Sequence, residues 1–130
     1  MERKRGPEEE KRPWGGFLVL EDQPTHKVKR IWVNAGQRLS YQKHYRRSEH
    51  WIMVEGKARV VLDGKEALLE PGDSIDIPQG AAHRIENIGK ELLSLIEVQR
   101  GEDFSEDDVV RLEDDYGRAG RSAGVSIYGK

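Results

Sequence analysis

Trp51 to Pro78 reads WIMVEGKARVVLDGKEALLEPGDSIDIP, and this stretch decides the fold class. Trp51–Val54 stops at Glu55-Gly56, and Ala58–Leu62 stops at Asp63-Gly64. Ala67–Leu69 then stops at Pro71-Gly72, and Ser74–Ile77 stops at Pro78. No run is long enough to lay a 3.6-residue apolar stripe along a helix. Asp-Gly between two apolar runs is a hairpin signal, because both central residues of a type I′ turn need positive φ. The stretch therefore reads as consecutive antiparallel strands.

The same punctuation continues outward. Phe17–Leu20, His26–Val33 and Leu92–Val98 are further strand candidates, and Asn34-Ala35-Gly36 closes the second of them. Turn signals recur about every 8 to 12 residues, the spacing of a β-sandwich or barrel. One short helix start is expected at Ser105-Glu106-Asp107-Asp108, with Ser105 as N-cap and acidic residues in the first turn. The first twelve residues, MERKRGPEEEKR, hold nine charges and no apolar side chain beyond Met1. Residues 1–12 are thus expected to form a mobile charged arm, 13–118 the single folded domain, and 119–130 a flexible tail.

Composition narrows the function classes. The chain has 130 residues, 35% hydrophobic and 35% charged, with a formal net charge of −2. Near-balanced charge argues against a nucleic-acid partner held by phosphate neutralisation. The absence of a long apolar run or a signal-peptide core argues against a membrane partner and for a cytoplasmic protein. With no cysteine, a metal site has to use histidine, carboxylate or amide donors.

Two of the four histidines lie in spaced patterns. The first is Gly36, five residues, Gln42, one residue, His44, four residues, Glu49, six residues, Gly56. The second is Gly72, five residues, Pro78, one residue, Gly80, two residues, His83, three residues, Asn87. Gln42 and His44 are two apart, so on a strand they share a face. A barrel that gathers Gln42, His44, Glu49 and His83 would offer two imidazoles, a carboxylate and an amide oxygen. That set suits one divalent metal, with Zn²⁺, Fe²⁺, Mn²⁺, Ni²⁺ and Co²⁺ all compatible. The alternative is a pair of satisfied polar histidines in a metal-free barrel. His26 and His50 lack such company, and His50 should point away from Glu49 and Trp51.

Other polar residues share the parity of the inner face. Arg38 runs in step with Ser40, Gln42 and His44, so it should face the same cavity and meet either an anion, such as a sugar phosphate, or an internal carboxylate. Lys29 runs in step with Ile31 and Val33, to bind phosphate, move a proton or reach the rim. Glu97 interrupts an apolar strand, where burial would raise its pKa toward that of a general base unless Arg38 or Lys29 pairs with it. Lys43, Arg46 and Arg47 form a basic patch beside the first pattern. Glu113-Asp114-Asp115 with Tyr116 and Arg118 either closes over the mouth of the pocket or is an ordinary solvated segment.

The two patterns resemble the paired motifs of the cupin superfamily, with Gln42 where the first histidine usually stands. Leu39-Ser-Tyr-Gln-Lys-His44 and Arg47-Ser-Glu-His-Trp51 are similar to the isomerase domain of type II phosphomannose isomerases. Arg12–Gly15, Lys27–Arg30, His83-Arg84, Leu95–Gln99 and Glu113–Arg118 agree, so the likeness covers about residues 12 to 118. Arg46 departs from it, standing where many of those sequences have histidine. The resemblance implies an all-β, double-stranded β-helix (jelly-roll) cupin domain that pairs as a homodimer. It implies zinc on Gln42, His44, Glu49 and His83, with Arg38 and Arg47 binding substrate and Glu97 or Lys29 moving a proton. The implied activity is interconversion of mannose 6-phosphate and fructose 6-phosphate through a cis-enediol. Isomerisation of another sugar phosphate, such as glucose 6-phosphate, is one alternative. A non-catalytic cupin that binds a sugar or sugar phosphate is the other. Such enzymes often carry a sugar-1-phosphate nucleotidyltransferase domain with a Gly-rich nucleotide loop. That loop is not found in these residues, so guanylyltransferase activity is expected to be absent.

Overall fold

A computed structural model of the protein describes residues 9–105 and 107–117, together with the backbone of 121–122 and 125–126. Among the described residues there is no helix. The strands are β1 (Glu9–Arg12), β2 (Gly15–Asp22), β3 (His26–Val33), β4 (Tyr41–Lys43), β5 (Arg47–Glu55), β6 (Ala58–Leu62) and β7 (Lys65–Leu69). They continue as β8 (Ser74–Ile77), β9 (His83–Asn87), β10 (Leu93–Gly101), β11 (Val110–Glu113), β12 (Arg121–Ser122) and β13 (Val125–Ser126). One sheet has the order β1-β2-β3-β10-β5-β8, the other β11-β4-β9-β6-β7, and β12 pairs only with β13. Every pairing is antiparallel, as a jelly roll requires.

The two large sheets bury their facing sides against each other. Ile31, Val33, Trp51, Met53, Leu93 and Leu95 come from the first sheet, and Ala58, Val60 and Ile85 from the second. Alternation explains this directly: β5 reads buried at Arg47, Glu49, Trp51 and Met53 and more exposed between them. The hairpin from β6 to β7 turns at Asp63 (φ 47°) and Gly64 (φ 81°), the two positive angles a type I′ turn needs.

Three segments differ from the sequence reading. Glu9–Arg12 is not part of a mobile arm, because it forms an edge strand on Gly15–Leu18 and Arg12 lies over the Phe17 ring, 4.9 Å from its centroid. An exposed edge strand needs no apolar face, so composition alone gave no sign of it. The rest of the arm, residues 1–8, lies outside the described residues. The helix start at Ser105 is replaced by a turn, in which Ser105 N–H donates to Asp103 Oδ1 and Asp108 N–H to Ser105 O. Asp108 is buried and its carboxylate caps the backbone N–H groups of Tyr45 and Arg46, which binds this segment to the β4–β5 loop. In the tail expected to be flexible, Arg121–Ser122 pairs with Val125–Ser126, and the other residues from 118 onward lie outside the described residues.

Candidate functional site

The inner face of β5 delivers Glu49 between the sheets, the loop after β4 delivers His44, and the first residue of β9 delivers His83. All three are buried, and one ligand atom from each lies within 4.8 Å of the others. His44 Nε2 is 3.1 Å from Glu49 Oε2, and His83 Nε2 is 3.7 Å from Glu49 Oε1. Each imidazole donates its Nδ1–H to a backbone carbonyl, His44 to Asp108 O at 2.7 Å and His83 to Ala81 O at 2.9 Å. That fixes the tautomer and turns both Nε2 atoms toward the carboxylate.

Electrostatics make this cluster incomplete by itself. Burial of His83 pushes its pKa down to about 4, so its ring is neutral at neutral pH. Burial opposes ionisation of Glu49, yet its hydrogen bond to His44 and the positive charge around it, that of Arg47 included, outweigh this and hold its carboxyl well below the usual range. His83 Nε2 has no hydrogen-bond partner among the described residues. The lone pair on the neutral His83 ring faces the Glu49 carboxylate at 3.7 Å and repels it unless something positive lies between them. A divalent cation fits that need and this donor set.

Gln42 stands opposite His83 in the β4–β9 ladder and lines the same cavity, with Ser40 Oγ donating to its Oε1 at 3.1 Å. Gln42 is therefore adjacent to the three convergent donors, which are His44, Glu49 and His83.

The cavity next to the cluster is also lined by Lys29, Arg47, Glu97, Arg12 and Arg111. Lys29 and Glu97 are directly paired across β3 and β10, so both enter it, as their parity predicts. Lys29 Nζ lies 4.1 Å from the centroid of the Phe17 ring. Glu97 accepts from Trp51 Nε1 and Gln99 Nε2, and burial, reinforced by the charge of Glu49, pushes its pKa up to about 8. Arg47 is buried, with Nε donating to Glu49 Oε2 at 3.1 Å, so it belongs to the cluster rather than to a surface patch. Arg46 pairs with Asp103, and Lys43 lies over the Tyr45 ring.

Arg38 is a correction. It does not line the cavity; its guanidinium binds Asp115 in a two-pronged contact at 2.7 and 2.9 Å near the surface. The parity argument fails because Arg38 forms only an isolated bridge to Glu86, outside β4, so strand alternation does not run from Gln42 back to it. The acidic C-terminal segment thus serves as partner to Arg38 and, through Glu113, to Arg84. His50 bonds Asp76 on the outer side of β5, and His26 bonds Glu21.

Several contributors were not singled out from sequence. Trp51 Nε1 donates to both Glu49 and Glu97 at 3.1 Å, tying the two carboxylates together. Gln99, fully buried, anchors Glu97, and Asp108 anchors His44. Alternation from Glu97 would have placed Gln99 inside. Nothing local marks Asp108 as a histidine partner 64 residues away.

A family profile described as "Mannose-6-phosphate isomerase C-terminal" matches residues 2–114. The chain is similar to the mannose-1-phosphate guanylyltransferase ManC of Salmonella typhimurium, 50% identical over 107 residues, covering 82% of this chain and 22% of that protein. It is similar to the alginate biosynthesis protein AlgA of Pseudomonas aeruginosa, 46% identical over 112 residues, covering 86% and 23%. Its fold is that of an RmlC-like cupin from Shewanella frigidimarina, TM-score 0.66 at 25% identity, covering 73% and 84%. The chain thus spans about a fifth of the length of the curated relatives it matches.

These names correct the functional expectation. Relatives at about 50% identity are guanylyltransferases, a nucleotidyl-transfer activity and not an aldose–ketose isomerisation. The assignment as a mannose-6-phosphate isomerase is overturned. Zinc as the identity of the metal rested on the isomerase resemblance and gains no support from these relatives. The jelly-roll cupin fold stands. No helix among the described residues is long and apolar enough to cross a membrane.

Proposed function

The chain belongs to the mannose-6-phosphate isomerase C-terminal family of cupins, and on that premise we propose that this domain is a non-catalytic sugar-phosphate-binding module. The observation that carries the reading is the charge of the cavity: Arg12, Lys29, Arg47 and Arg111 line it against only two carboxylates, Glu49 and Glu97. One of those carboxylates, Glu97, has its pKa raised to about 8 and is largely protonated at neutral pH. A cavity with this surplus of positive charge selects an anionic ligand. Mannose 1-phosphate, named in the relatives, is the first candidate.

A divalent metal belongs to the same proposal. His44, Glu49 and His83 would hold it, with Gln42 alongside, and when bound it would offer a Lewis-acid point for sugar oxygens. The chain's own residues supply the rest: Lys29 and the arginines attract the phosphate, while Trp51 and Gln99 hold Glu97 in place at the cavity wall. A cytoplasmic location and a homodimer complete the reading. Ile52 and Val54 are exposed on β5 beside Leu92, an apolar surface suited to a second copy and testable by light scattering.

The test is thermal denaturation of the metal-loaded protein with mannose 1-phosphate, mannose or inorganic phosphate. The expected order of stabilisation places the sugar phosphate above phosphate alone, and mannose lowest. Equal, negligible shifts with all three would overturn the reading.

A further inference from the structure

We infer that Arg47 is a resident counter-cation of the donor cluster, which an incoming metal ion has to displace, so that this side chain sets the metal affinity of the site. The inference rests on the metal reading above and adds a competitor to it.

Arg47 and Glu49 are two residues apart on β5 and point to the same buried face. All three guanidinium nitrogens are engaged: Nε donates to Glu49 Oε2 at 3.1 Å, Nη1 donates to Ser105 O at 3.1 Å, and Nη2 lies 3.3 Å from His44 Nε2. His44 has committed Nδ1 to Asp108 O, so Nε2 is the ring nitrogen that faces Arg47 Nη2, Glu49 Oε2 and any metal ion. An ion bound at Nε2 would bring a second positive charge against a guanidinium nitrogen only 3.3 Å from the same atom. A metal–imidazole bond of about 2.0–2.1 Å would place the ion inside the span now bridged by Nη2. The same guanidinium also neutralises Glu49 through Oε2.

The cluster therefore has two competing cationic occupants. With Arg47 in place, Glu49 is neutralised by the guanidinium. With a metal ion in place, at least the Nη2 contact to His44 has to break, and the guanidinium remains tethered through Ser105 O at the cavity wall. Removing Arg47 abolishes the competition and leaves Glu49 as an uncompensated anion, so metal should bind more tightly. If Arg47 instead only fixed the position of Glu49, its removal would loosen metal binding. The two roles have opposite signs.

The experiment is chelator competition with Zn²⁺ or Co²⁺ alone, on the full chain and its Arg47→Met and Arg47→Gln variants. The expected result is an ion affinity about tenfold higher in both variants than in the parent. Equal or weaker binding in both variants, with the parent still binding, overturns the role of Arg47 and leaves the metal reading intact. No ion bound by the parent or either variant overturns both. Should the variants fail to fold, NMR of the parent decides. An Arg47 side-chain N–H signal that shifts and saturates at one equivalent of Zn²⁺ supports displacement, and an unmoved signal contradicts it.

Discussion

Glu97 faces Lys29 directly across the β10–β3 ladder, and both side chains enter the cavity that holds Glu49. Burial and the Glu49 charge raise the Glu97 pKa to about 8, against roughly 4.3 for a free glutamate. Between those values the folded chain holds a proton that the unfolded chain has released, so stability falls as pH rises. The depressed pKa of His83 acts in the opposite direction below about pH 6.5, so the effect is isolated by comparison with Glu97→Gln. In urea unfolding of the chelated protein, the parent should lose roughly a few kcal/mol relative to Glu97→Gln between pH 5 and pH 8.5. A constant difference across that range would contradict the buried environment assigned to Glu97.

The donor cluster predicts a thermal response to metal. At a hundredfold excess over its dissociation constant, a bound ion should add about 2.7 kcal/mol to stability. His83→Ala removes one of three convergent donors and should lose most of the shift, while His50→Ala, altered on the outer side of β5, should keep it. Equal responses of the two variants, followed by calorimetry, would argue against the cluster as the metal site.

Arg38→Ala checks the correction to the sequence reading. The Arg38–Asp115 pair is more than a third exposed on both sides, so its loss should cost no more than about 1 kcal/mol and less in high salt. Sugar-phosphate affinity should not change, because Arg38 is not part of the cavity lining. A large drop in affinity in isothermal titration would return Arg38 to the site.

The glycines that bound the motifs are not equivalent. Gly56 and Gly72 both have positive φ, 86° and 94°, which costs a residue with a side chain about 1–2 kcal/mol. A Cβ on Gly72 meets nothing within 4 Å, whereas on Gly56 it would lie 2.7 Å from Leu92 O and 2.8 Å from Leu93 Cα. Gly72→Ala should therefore cost about 1–2 kcal/mol, and Gly56→Ala about 3 kcal/mol or more because backbone has to move. Chemical denaturation of the two variants separates them.

The sequence made the fold legible where patterning is local. His26–Val33, Ala58–Leu62 and Ser74–Ile77 are strands with the boundaries read from their turns. His44, Glu49 and His83 converge because fixed spacings on alternating strands carry them to one side. Local reading failed where partners are distant. Strand β1 is charged and earns its place by pairing with β2, and Asp108 turns inward to cap a loop more than 60 residues earlier in the chain. Arg47 reads as one of a basic patch with Lys43 and Arg46, yet its position on the Glu49 face of β5 buries it and sets it apart from them. The function was misread for a different reason, since a fold and its motifs identify a site but not the reaction run there.

The most direct measurement is a phosphorus and proton NMR titration of the metal-loaded protein with mannose 1-phosphate and, separately, mannose 6-phosphate. Saturable changes in the ligand signals, lost in Lys29→Met and unaccompanied by any new sugar resonance, are the predicted result. Ligand spectra that do not respond, or product resonances that grow with time, would contradict a non-catalytic sugar-phosphate-binding cupin.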